Sequence, residues 1–240
     1  MILAAGLGTR LRPLTDHTPK PLIPVGGVPM LERVARRLIA AGADRLIVNV
    51  SHLAETIEAF LAERDGFGVE WHVSREPGAP LETGGALVLA EPLLRRGAPF
   101  FLHNADILTD LPLREMYDAH QRAGALATLA VMERETKRHL LFDRHGLLGR
   151  TDAAKGLDLR VRDAAGPVAK VAFGGVHVVS PRMLELLTER GAFSILDPYL
   201  RLAGAGETIL PFRVDHAHWI DIGSPQQLEA AHAKVSLLRE

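Results

Sequence analysis

Residues 3–24 read LAAGLGTRLRPLTDHTPKPLIP, and they constrain the chain more than any other stretch. A short apolar strand, 1–5, runs into a glycine-spaced loop. The loop carries Gly6, Gly8, Thr9, Arg10 and Arg12, then Lys20 between two prolines. Glycines let backbone N–H groups approach an anion closely. Arg10 offers a planar fork suited to phosphate oxygens, and Lys20 a compact point charge. Prolines at 13, 19, 21, 24 and 29 stiffen the segment, so the cation is presented without reordering. A lone Gly-x-Gly reads as surface punctuation; this longer pattern reads as a phosphate site.

The rest of the chain alternates strand and helix. A helix is expected over 29–42, with Pro29 at its start, Gly42 at its end, and Met30, Leu31, Val34, Leu38 and Ile39 on one face. A buried strand follows at 45–51, a helix at 53–64, a strand at 68–74, a helix at 84–95, a strand at 99–103, a helix at 112–123 and a strand at 125–132. This order predicts a Rossmann-like α/β fold, a mostly parallel sheet flanked by helices on both faces. Ligands of such sheets sit beyond the carboxyl ends of the strands, at the switch point. The loop 6–20 and Asn104–Asp106 both belong there.

The second half is less regular. A hairpin is expected within 139–150, a strand at 168–179, helices at 181–190 and 194–203, two strands within 209–220, and a final amphipathic helix at 225–239. One domain is expected over 1–240, with a nucleotide-binding half (1–125) and a sugar-binding half (126–240) in the same sheet. No hexapeptide repeat, linker or low-complexity segment is evident.

Composition narrows the function classes. The formal charge of −1 gives no basic excess for nucleic acid or an acidic membrane. With no cysteine, a disulfide framework, thiolate metal site or cysteine nucleophile is excluded. No run approaches the ~18 apolar residues of a membrane helix, and the start lacks the cationic region of a signal peptide. A cytoplasmic protein, monomer or homodimer, is expected. No Gly-x-Ser-x-Gly elbow or GxxxxGK[ST] loop occurs, which argues against acyl transfer and P-loop chemistry.

Four further places can carry chemistry. Asp106, in HNAD (103–106), suits Mg²⁺, which takes few protein oxygens; the alternative is a turn or N-cap aspartate, with Asp110 a rival for that. Asp221, in HWIDIGSP (218–225), is either a second metal carboxylate above Trp219 or a shaper of the next turn. Gly84 and Gly85 open a helix, where they admit a flat base and expose N–H groups, or simply form a Gly-rich N-cap; Glu76 and Glu82 are candidates to accept from a base. Gly174 and Gly175, inside a strand pattern, mark a close ligand or a bulge. His216, His218 and Asp221 suggest zinc, but three supported ligands are not evident. The run ERETKRH (133–139) is a solvated loop or a cationic lid over an anionic sugar.

These motifs resemble the sugar-1-phosphate nucleotidyltransferase family over nearly the whole chain. The loop 3–24 carries most of the likeness, joined by HTPKPL (17–22), PLETGG (80–85) and HWIDIGS (218–224). The resemblance is strongest to the branch that transfers uridylyl groups to N-acetylmuramate 1-phosphate. It implies a GT-A-like fold, Mg²⁺ as cofactor, and an NTP and a sugar 1-phosphate as small-molecule partners. UTP with N-acetylmuramate 1-phosphate is the expected pair. The alternatives are GTP with mannose 1-phosphate or a heptose 1-phosphate, and a nucleotide-sugar-binding regulator without catalysis. By position, Ala5, Gly6, Gly8, Thr9 and Arg10 would wrap the nucleotide phosphates, with Arg10 on the pyrophosphate. Lys20 would bridge the reacting phosphates, and Glu76, Gly84 and Gly85 would border the base and ribose. Glu82, Asn104 and Gly175 would meet the sugar, and Asp106 and Asp221 would hold Mg²⁺. Arg134, Lys137 or Arg138 would face the lactyl carboxylate of N-acetylmuramate. Two departures stand out. Ala105 replaces the family's usual Gly, and the Glu-Lys-Pro motif of the thymidylyl branch is absent.

Overall fold

The computed structural model describes residues 1–94 and 97–237. The chain starts in β1 (Ile2–Leu3) and passes through the long loop into a two-stranded hairpin, β2 (Pro24–Val25) and β3 (Val28–Pro29). Three crossovers follow: α1 (Met30–Ala40) to β4 (Arg45–Val50), α2 (Ala54–Glu63) to β5 (Glu70–Arg75), and α3 (Glu82–Ala90) to β6 (Phe100–Asn104). These strands lie in the order β5-β4-β1-β6, all parallel, with Ile2 between Val48 and His103. The chain builds outward from β1 and then returns to its other side. That reversal leaves a crevice beyond the carboxyl ends of β1 and β6.

β7 (Ile107–Thr109), α4 (Leu113–Ala123) and β8 (Ala127–Met132) come next, then the antiparallel strands β9 (Arg138–Asp143), β10 (Gly146–Asp152), β11 (Leu157–Arg160) and β12 (Ala169–Val179). The chain ends through α5 (Arg182–Leu186), α6 (Leu196–Gly204), β13 (Ile209–Arg213), β14 (Trp219–Asp221) and α7 (Pro225–Lys234). The 11-residue β12 joins the halves: one end pairs with β9, the other with β6 and β8. The result is one ten-stranded mixed sheet, parallel across the first half and antiparallel around β12, with β13 added parallel to β8.

Strand alternation sends neighbours to opposite faces. Leu46, Val48 and Val50 face the core under α1, α2 and α4, while Ile47 faces the core under α3, α5 and α6. α1 forms because Met30, Leu31, Val34, Ala35 and Leu38 make one buried stripe. A third cluster lies apart from the sheet: Leu11, Ile23, Val25, Met30, Leu108, Ile222, Leu228 and Ala231 clamp the long loop against α7.

Several elements differ from expectation. The helix at 181–190 is only Arg182–Leu186, because the following residues dock on α3 through Phe193 N to Leu81 O at 3.1 Å and Ile195 N to Thr83 Oγ1 at 2.9 Å. The helix at 84–95 starts earlier and gives way to a 3₁₀ turn, Glu91–Leu93, at Pro92; residue 95 lies outside the described residues. The last helix ends at Lys234, followed by a 3₁₀ turn, and residues 238–239 of its expected span also lie outside. β7 and β11 were not expected.

The β9–β10 turn is pinned by Asp143, whose side chain is inaccessible to solvent. It accepts from Arg162 Nη1 and Nη2 at 2.7 and 2.6 Å, from Ala165 N at 2.7 Å and from His145 N at 2.8 Å. The Arg162 fork holds this carboxyl well below the usual carboxylate range. Arg162→Met strands the anion and is expected to cost about 2–3 kcal/mol in urea unfolding near neutral pH. A carboxyl with a depressed folded pKa stabilises above its unfolded value of about 4 and loses that contribution at lower pH. The gap between wild type and variant should therefore shrink as the pH falls below about 4.

Candidate active site

The crevice is a cleft of about 320 Å³. Ten residues singled out from sequence line it: Ala5, Gly6, Gly8, Thr9, Arg10 and Lys20 from the loop, Glu76 and Glu82 on the far wall, and Asn104 and Asp106 after β6.

The loop is fixed by three devices. Gly8 takes the left-handed conformation (φ 63°), and a Cβ there would stand 2.8 Å from Thr15 Cγ2 and 3.1 Å from Lys20 Cβ. Thr15, buried, donates from Oγ1 to Gly8 O at 2.9 Å. Leu11 anchors the loop from beneath, in the cluster under α7. Thr15 escapes sequence reasoning, since a threonine in a proline-rich loop carries no sign of its burial. Lys20 heads a short 3₁₀ turn and points across the cleft, where Nζ donates to Asp106 Oδ2. Its side chain is only 11% exposed, so the charge sits in a largely dehydrated wall, where electrostatic interactions strengthen.

Strand pairing brings Asp221 to the edge of the cleft, which it does not itself line. β14 runs antiparallel to β7, with Asp221 opposite Ile107 and Ile222 N donating to Asp106 O at 3.0 Å. Asp221 Oδ1 accepts from Gly223 N at 2.7 Å. Gly223 lines the cleft, and a Cβ there would collide with Arg10 Nη2 and lie 2.6 Å from Asp221 Oδ1. The Arg10 guanidinium and the Asp221 carboxylate thus flank a glycine that sequence reasoning missed. Nearby, Arg134 stacks over the Trp219 ring at 4.3 Å, and Trp219 Nε1 donates to Gly174 O at 2.8 Å. Burial lowers the Arg134 pKa, opposed by Asp221.

Asp106 and Asp221 supply hard oxygens suited to a divalent cation such as Mg²⁺, which is commonly held by one or two carboxylates together with substrate phosphates. Among the described residues no group of three or more His, Asp or Glu gathers around a metal position, so phosphate and water oxygens would complete the shell. The His216/His218 zinc reading gains no support. His218 instead engages Asp110, through N to Oδ1 at 2.7 Å and Nδ1 to Oδ2 at 2.9 Å.

Other expected contacts are placed differently. Both Glu76 oxygens are engaged: Oε1 accepts from Asn49 Nδ2 at 2.9 Å and Oε2 from Leu81 N at 2.8 Å. Glu76 therefore fixes the turn into α3 and is less free to pair with a base. Gly84 and Gly85 are buried and do not line the cleft. Gly84 N donates to Phe193 O at 2.8 Å, and a Cβ at Gly84 would strike the Phe193 ring. A Cβ at Gly85 would strike Gly191 O. Close approach is real at both, but it comes from the protein's own 191–193 segment. Gly175 (φ 76°) sits in a bulge where the β12–β8 register shifts, and a Cβ there would come 2.9 Å from Asn104 Nδ2. It makes room for a cleft residue and does not itself line the cleft.

A glycine loop at the switch point and a buried lysine facing an aspartate across the cleft define a phosphate-handling α/β protein. The sequence model of the family described as nucleotidyl transferase matches residues 1–148. The chain belongs to this family, the sugar-phosphate nucleotidyltransferases. It is 33% identical to the N-acetylmuramate alpha-1-phosphate uridylyltransferase of Neisseria meningitidis, over 97% of this chain and 96% of that one. It is 29% identical to a mannose-1-phosphate guanyltransferase of Yarrowia lipolytica over 94% of this chain, but spans only 61% of that protein's length. A Bacillus anthracis structure assigned as a glucose-1-phosphate thymidylyltransferase shares the fold, with a TM-score of 0.83 over 100% of this chain and 95% of that one at 19% identity. No helix among the described residues is long and apolar enough to cross a membrane.

Proposed function

We propose that the protein transfers a nucleotidyl group from an NTP to a sugar 1-phosphate, and that Arg10, Lys20 and Asp106 carry the reaction. The observation that carries this reading is Lys20 facing Asp106 across the cleft beneath the glycine loop. An oxygen of the sugar phosphate attacks the α-phosphorus. The bond from that phosphorus to the bridging oxygen of the β-phosphate breaks, and pyrophosphate leaves in line with the electron pair. The sugar phosphate is already an anion near neutral pH, so no protein nucleophile or strong base is required. Catalysis is then positioning and charge neutralisation. The N–H groups of Gly6 to Thr9 cradle the triphosphate, Arg10 takes the leaving pyrophosphate, and Lys20 bridges the two reacting phosphates. Asp106 and Asp221 would hold Mg²⁺, which would supply Lewis-acid neutralisation of phosphate oxygens. The reaction's use of nucleoside triphosphates supports a cytoplasmic location.

For the substrates we propose UTP and N-acetylmuramate 1-phosphate. The end-to-end match to the Neisseria meningitidis enzyme supports this pair over GTP with mannose 1-phosphate. The engagement of both Glu76 oxygens supports it as well, since guanine's two adjacent donors are best met by a free carboxylate. The test is pyrophosphate release with Mg²⁺ across UTP, GTP, dTTP, CTP and ATP, each with the 1-phosphates of N-acetylmuramate, mannose, glucose and N-acetylglucosamine. UTP with N-acetylmuramate 1-phosphate should give the highest rate. A maximum at GTP with mannose 1-phosphate replaces the substrates but keeps the reaction. Silence throughout, from folded protein that binds a nucleotide, replaces the enzyme with a binding regulator.

A further inference from the structure

A second concavity of about 480 Å³ adjoins the cleft, and Glu82 lines both. Its walls come from the loop after β8 and from β9 and β10, with Phe173 and Leu196 as apolar floor. Four full cations, Arg134, Arg138, Arg150 and Lys155, stand against two carboxylates, Glu82 and Asp152. That surplus is local, because the chain as a whole carries a formal charge of −1.

The four cations are not equally committed. Arg134 is stacked on Trp219 and faces Asp221. Arg150 shares Asp197, at 3.2 Å through Nη1. Arg138 and Lys155 have no carboxylate partner among the described residues. Two buried polar atoms in the same wall, Arg150 Nε and Thr151 Oγ1, have no hydrogen-bond partner among the described residues. Buried polar atoms left unpaired are costly, and here they sit just behind the wall of a concavity already rich in positive charge. His139, on the same wall, is held below the usual imidazole pKa by burial and by Lys170 and Arg134.

We propose that the acceptor sugar carries a carboxylate besides its 1-phosphate, and that Arg138, Arg150 and Lys155, with Thr151, form the subsite that reads it. This rests on the nucleotidyl-transfer reading above. The reacting phosphate belongs beside Lys20 and Arg10. The Glu82 carboxylate stands between that position and the basic concavity, where it repels a phosphate and accepts from sugar hydroxyls. Glu82 is held in the left-handed conformation (φ 58°) at the junction, and such positions cluster at ligand sites. A sugar ring spanning Glu82 would carry its far substituent to the cations. The subsite therefore selects among sugars of similar shape by charge.

The test is calorimetric binding of N-acetylmuramate 1-phosphate and N-acetylglucosamine 1-phosphate to the nucleotide-free protein. The two ligands differ only by the lactyl ether. Glucuronate 1-phosphate and glucose 1-phosphate form a second pair. The acidic member should bind more tightly by about tenfold or more, as expected of charge-assisted hydrogen bonds, and the advantage should shrink with added salt. In the double variant Arg138→Gln/Lys155→Gln the ratio should fall toward one. Equal affinity within both pairs for wild type, or a preference that survives in the double variant, overturns the inference alone. Failure of all four sugar phosphates to bind, with UTP or GTP still bound, overturns the acceptor reading itself.

Discussion

Lys20→Ala should lower turnover by about 10²–10³, with little change in the thermal unfolding midpoint. The size follows from position. A cation in a water-poor cleft, aimed where charge shifts between two phosphates, acts in a medium that screens it weakly. The lysine needs no reordering, because Pro19 and Pro21 flank it and the turn closes through Leu22 N to Pro19 O at 2.8 Å and Ile23 N to Lys20 O at 3.1 Å. The fold has little stake in the ammonium, whose partner Asp106 is 31% exposed and can be hydrated. Lys20→Arg keeps the charge but offers a planar fork in place of a compact head, so it should recover only part of the loss. Steady-state pyrophosphate release together with thermal unfolding separates this from a structural effect, which would move the midpoint as well.

Asp106→Ala should cost a similar factor of about 10²–10³ in turnover, and its signature differs. Removing an anion from a cleft that receives a triphosphate should leave nucleotide affinity unchanged or raise it, whereas Lys20→Ala should weaken it. The concentration of Mg²⁺ that gives half-maximal rate should rise in Asp106→Ala, because the proposed site loses one of its two carboxylate ligands. Near-wild-type turnover in a folded Asp106→Ala protein would sink the metal assignment.

The parallel half of the fold was legible because its cues are local. The α1 stripe repeats at helical spacing, and β4 is a short, nearly continuous apolar run, so the first announces its buried face and the second a strand covered on both sides. β7 and β14 were harder, being three residues each and stabilised by pairing residues more than a hundred positions apart. That pairing sets the Asp221 strand alongside the backbone of Asp106, so the two residues could be named from sequence but not placed on neighbouring segments. Glycine gave the opposite difficulty. At Gly8 the demand comes from the loop's own turn and was readable. At Gly84 and Gly85 the pattern is the same whether a base or Phe193 approaches, and the approaching group belongs to a segment with no local sign of where it docks. The basic concavity combines Arg138 on β9 with Arg150 on β10 and Lys155 in the turn before β11, and only the first lies in the charged run that the sequence displays.

The central claim is attack by the sugar phosphate on the α-phosphorus, and following oxygen tests it most directly. Sugar 1-phosphate labelled with ¹⁸O at its non-bridging phosphate oxygens would be turned over with unlabelled NTP, using the pair that gives the highest rate. The account predicts label in the oxygen that bridges the two phosphorus atoms of the nucleotide sugar, and none in the pyrophosphate released. Label in the released pyrophosphate, or pyrophosphate formed at the same rate without any sugar phosphate present, would contradict it.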